Sequence, residues 1–265
     1  MRKVRVVNGV ANTRLSSWLA VILAAVVLPA AALLMLRDSV APLAVVQGPV
    51  VAVGLMGGAM IAAASAGRWG IGVIVALVAG AGLIQLARVL GMPPLPHPAA
   101  TAFVVVIASI SFAARGALFS RALPRNGWLL ASLVVTGEAA ILVTAAYLPP
   151  WLLALLPAQW ASTAIQTTLT ATGTATGNNT GAVIAGASSV LLALAGTAAT
   201  TLLVARLWPR RWPYVLMFGA WLGLSALVWY RPGPPPRASL ADMSAPITIG
   251  AANAQATDRS APRVR

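Results

Sequence analysis

Residues 43–66 read LAVVQGPVVAVGLMGGAMIAAASA, a run without one charged side chain. A helix needs about 20 apolar residues to cross a hydrocarbon core of roughly 30 Å, and this run is long enough. Lipid offers backbone groups no water, so such a run must close its own hydrogen bonds as a helix. Six other stretches meet or approach the same test: Trp18–Leu36, Ile71–Ala87, Ala99–Ala114, Trp128–Leu148, Gly181–Ala205 and Tyr214–Tyr230. The expected fold is all-α, a polytopic transmembrane helix bundle of about seven spans.

Composition points the same way. Of 265 residues, 59% are hydrophobic and only 8% charged. A soluble domain is about 45–50% apolar and about one quarter charged, so this chain has too little charge to cover a water-facing surface. Trp18, Trp69, Trp128, Trp151, Trp160, Trp208, Trp212 and Trp229 fall at or beyond the ends of the runs, as expected of rings that settle among headgroups. Trp221 alone lies within a run.

Lysine and arginine number 18 against four acids, a net charge of +14. The bases stand in short clusters between apolar runs, where they fix orientation rather than bind nucleic acid. With the N-terminus cytoplasmic, the inner segments hold Arg2, Lys3, Arg5 and Arg14, then Arg68, then Arg115, Arg121 and Arg125, then Arg206, Arg210 and Arg211. The outer loops hold Arg37 and Arg88, with Arg231 and Arg237 following the last run. The expectation is N-in and C-out, multi-pass in a cell inner (plasma) membrane.

Three segments lie outside the spans. Residues 1–17 form a basic cytoplasmic segment whose apolar continuation is too long for a signal peptide and reads as an uncleaved anchor. Residues 149–180 carry no charge; past Pro157, Trp160, Ala161, Ala164, Ile165 and Leu169 keep helical spacing opposite Gln159, Ser162, Gln166 and Thr170. That pattern predicts an interfacial helix and outer loop, the alternative being an eighth span over Trp151–Thr172. Residues 231–265 begin RPGPPPR, lack periodicity and read as a disordered tail.

The composition excludes several chemistries. The chain has no cysteine, one lysine (Lys3) and one histidine (His97), so thiolate metal sites, a mid-membrane Schiff base and bis-histidine haem ligation within one chain are ruled out. Neither phosphate-binding loops nor zinc or serine-hydrolase motifs occur. The expectation is a protein that is not an enzyme and needs no cofactor.

Glu138, in VVTGEAAI at the centre of the fifth run, is the one acid within any run. A carboxylate at that depth is costly and is by default a functional candidate, here for carrying a proton or ion. Gln47, Gln85 and Arg88 are candidates to line an outward-facing cavity with it, since Pro49 frees a backbone carbonyl near Gln47. Met56 and Met60, one turn apart, have the spacing with which soft thioethers hold Cu(I). Gly54 and Gly58, with Gly181 and Ser189, form small-residue faces for close helix packing. Two functions are expected from this set: permeation of a small solute or ion through a midplane carboxylate, or a non-catalytic membrane subunit or assembly factor. The partners are the lipid bilayer and either other membrane proteins or further copies of the chain, with no nucleic acid.

Overall fold

The computed structural model describes residues 15–37, 43–92, 95–170, 184, 187–207 and 212–230. Among them there are helices and turns and no strand. The helices are α1 (Leu15–Leu36), α2 (Leu43–Ala66), α3 (Trp69–Val89), α4 (Pro98–Ala122), α5 (Gly127–Val143), α6 (Pro150–Ala154), α7 (Pro157–Thr170), α8 (Ser188–Leu207) and α9 (Trp212–Tyr230). Five of them, α1, α2, α3, α4 and α8, are long and apolar enough to cross a membrane. Two shorter apolar segments, Gly127–Val143 and Val215–Tyr230, lie in α5 and α9. The expected run at Gly181 and the tail 231–265 fall outside the described residues, apart from the part of that run taken up by α8.

The centre of the bundle is α2, against which α1, α3, α4, α5 and α7 all pack. It can take so many neighbours because 11 of its 24 residues are Gly or Ala, which lets backbones approach closely. Such small-residue faces gain close dispersion contact between backbones. On α3, Gly72 sits on Ala59 and Ala63, and Gly80 on Leu55. On α4, Gly116 lies against the carbonyl of Met60. Outward faces are apolar instead of charged: Val89, Leu133 and Val143 are 83%, 70% and 84% exposed.

A break in α1 matches two glycines of α2, Gly54 and Gly57. Leu23–Val27 form a wide π turn, with the Leu28 N–H donating to the carbonyl of Leu23. Pro29 follows, which has no N–H and would crowd the carbonyl one turn back. Carbonyls of Ala24 and Ala25 turn toward α2, where Cβ atoms at Gly57 and Gly54 would lie 2.9 and 3.1 Å from them.

Two ends follow local rules. Helix α2 stops at Gly67 (φ +66°) and α3 runs out at Gly91 (φ +102°), left-handed conformations that favour glycine. At the latter, Gly91 N–H donates to Arg88 and Met92 N–H to Ala87, closing the last carbonyls. Helix α5 ends earlier than the Trp128–Leu148 run, at Val143. Thr144 donates its hydroxyl back to Ala140 and Ile141, and Leu148, preceding Pro149, is extended.

Within the segment 149–180, the described residues 149–170 differ most from expectation. Helix α7 does not lie on a surface: Ala158, Trp160, Ala161, Ala164, Ile165 and Thr168 are buried, and the helix packs on α2, α4 and α8. Its 14 described residues reach about 21 Å at about 1.5 Å each, short of a hydrocarbon core of roughly 30 Å. Its polar face fits inside the bundle because its polar groups find partners there. The Gln166 Oε1 accepts the Gly48 N–H of α2 at 3.0 Å, and the Thr168 hydroxyl donates to Ile165.

A candidate buried ion-pair site

Glu138 points from α5 toward α4 and the start of α7. Its Oε1 lies 3.5 Å from Nη1 of Arg115, and its Oε2 accepts the backbone N–H of Ala158 at 3.1 Å. Both charged side chains are nearly enclosed, 14% and 12% exposed. The guanidinium carbon of Arg115 also stands 5.5 Å from the centre of the Phe112 ring, one turn earlier on α4. Three elements thus meet at one carboxylate.

Each partner is held for a local reason. Pro157 opens α7, where its missing N–H costs nothing. The next residue, Ala158, has an N–H with no partner inside its own helix. A carboxylate is the best acceptor for that group, because the helix dipole places partial positive charge there. The Trp160 indole N–H donates to the carbonyl of Ala154, fixing α7 to α6. Arg115 is brought inward because its neighbour Gly116 lets α4 touch α2 at Met60. Further along α4, Arg121 donates to the Ala205 carbonyl near the end of α8.

An apolar run closed at Ala114 places Arg115 in an inner segment, away from the depth of Glu138. The structure corrects this: α4 continues to Ala122, and Arg115 lies within it. The sequence did hold a signal. Gly116-Ala117-Leu118-Phe119 resumes apolar character after Arg115, so the charge interrupts a helix instead of ending one.

Two polar atoms in this interior lack a hydrogen-bond partner among the described residues: Nη2 of Arg115 and Oε1 of Gln47. Gln47 is 2% exposed and precedes Gly48, which is tied to Gln166. Gln85 and Arg88 do not join the pair: both are exposed, on α3, which packs on α1, α2 and α4. Met56 and Met60 are fully enclosed in the core. No group of three His, Cys, Asp or Glu among the described residues could hold a metal ion. Gly54 and Gly58 are covered from within, by Ala25, Pro29 and Leu83 and by Ala25 and Ala76. Ser189 is buried on α8, and Gly181 lies outside the described residues. His97 precedes α4, its carbonyl accepting both the N–H and the hydroxyl of Thr101.

Comparison of the chain with protein-family models, curated proteins and solved structures finds no match.

Proposed function

We propose that this is a transport protein of a cell inner membrane, moving a small solute or ion past the Glu138 carboxylate. One observation carries the proposal: the enclosed Arg115–Glu138 pair stands at the N-terminus of a helix too short to cross the bilayer. A scaffold gains little from such an arrangement, since removing two charges from water costs several kcal/mol each, and apolar contact would serve equally well. Discontinuous helices whose ends meet charged groups near mid-membrane are a recurrent way to build transport sites.

In this reading α1–α5, α8 and α9 are seven spans, with the N-terminus cytoplasmic and the Arg clusters on the inner side. The chain contains no cysteine, so single cysteines report topology without background. Arg68→Cys should react with an impermeant maleimide from the cytoplasmic face, and His97→Cys from the opposite face. Labelling of both from one side would overturn the arrangement.

The functional test is flux in proteoliposomes, comparing the protein with Glu138→Gln at equal incorporation. Loss of flux, or loss of its pH dependence, is expected. Identical flux at every pH would remove Glu138 from the path. The rival role as a non-catalytic subunit loses one support, because Gly54 and Gly58 are filled by the chain's own helices.

A further inference from the structure

We infer that the site takes a small monovalent anion together with one proton, the proton resting on Glu138 and the anion against Arg115. This builds on the transport reading above and names its substrate class.

Charge balance is the reason. With Glu138 ionised and Arg115 cationic, 3.5 Å apart, the pair is neutral. Among the described residues no other charge stands near to rebalance it. Of the elements packed on α5, α2 and α7 contain no ionisable side chain, and the turn Ala145–Tyr147 has only the exposed Tyr147. Helix α4 offers Arg115 itself and Arg121, which is exposed and bonded to Ala205. A cation added to the neutral pair would leave one net positive charge in a weakly polarisable interior. An anion added alone would leave one negative charge. Both states are costly.

One loaded state avoids net charge. A proton from water binds the Glu138 carboxylate, which then gives up its ionic contact with Arg115 Nη1. The freed guanidinium receives the anion, and the total is again zero. The Nη2 of Arg115 supplies a donor that nothing among the described residues uses. The Ala158 N–H, when Glu138 moves away, supplies a second at the positive end of α7. A buried donor without a partner requires an explanation, and a ligand that completes it is one.

The test uses the full-length protein in mild detergent. Sodium chloride, nitrate and lactate are titrated into weakly buffered solution while a pH indicator counts protons. One proton should be taken up per anion bound, and the apparent Kd should rise about tenfold per pH unit where the free site is ionised. Glu138→Gln, which mimics the protonated acid, should bind the anion without proton uptake and without pH dependence. Arg115→Gln/Glu138→Gln, which leaves no unpaired charge, should stay monodisperse and should not bind. Binding of lactate but not chloride or nitrate assigns an organic carboxylate; the converse assigns an inorganic anion. Proton release on adding sodium or potassium would overturn the inference and leave transport standing as cation exchange. No binding of either sign would overturn the inference, and unchanged Glu138→Gln flux would separately overturn the transport reading.

Discussion

Glu138→Ala removes one half of the pair and leaves the other half enclosed. Arg115 would keep its charge, at 14% exposure, with the Phe112 ring as its remaining electrostatic neighbour. Breaking a buried pair by deleting one partner costs about 3–5 kcal/mol, most of it from the charge left behind. The Ala158 N–H also loses its acceptor, a lost helix cap of about 1 kcal/mol. The slight exposure of both groups returns part of this to solvent, so a net loss of about 3–5 kcal/mol is expected. Arg115→Leu/Glu138→Ala strands no charge and should lose only about 1–2 kcal/mol, the cap and some packing. Arg115→Leu alone strands the carboxylate and should cost about as much as Glu138→Ala, so the two single losses together exceed the double by at least about 4 kcal/mol, an excess well beyond the few tenths typical of independent sites. Reversible denaturation in mixed micelles, run as a double-mutant cycle, measures it. A double variant as unstable as the sum of the two single variants would refute a direct energetic link between the two groups.

Other outcomes follow from the packing. Gly116→Ala places a Cβ against the Met60 carbonyl, with Ala63 also inside contact distance; it should cost about 1–3 kcal/mol by thermal stability in detergent. Gly137→Ala, one residue from Glu138 but facing open space, should instead be neutral or stabilising by up to about 1 kcal/mol. Gln166→Leu removes the acceptor for the Gly48 N–H and should cost about 1–2 kcal/mol, with faster hydrogen exchange at that amide. Arg121→Gln weakens the bond to the Ala205 carbonyl and should speed exchange in the last turn of α8 while leaving α7 unchanged.

The residues of Leu43–Ala66 made a membrane helix legible from sequence, and the same physics located the other long apolar helices. Each depends on a local count: a run of apolar side chains must hide its own backbone in lipid, whatever surrounds it. Boundaries were less legible. The break in α1 and the early end of α5 depend on Pro29, Thr144 and Pro149, local signals weaker than hydropathy. Glu138 stood out because an acid within an apolar run is conspicuous in one dimension.

What sequence could not supply was adjacency. Arg115 and Glu138 are on different helices, and their pairing depends on Gly116 letting α4 close on α2. The spacing of α7 was read correctly as a helix, but its polar side resembled a water-facing surface. Whether a polar face meets water or protein depends on acceptors and donors far away in the chain, such as Gly48 and Glu138. The sequence alone determined that five of these helices are long and apolar enough to cross a membrane, because hydropathy is a property of each residue. Only the tertiary structure decided that a carboxylate, a guanidinium and a helix end share one enclosed point, because that is a property of how the helices pack.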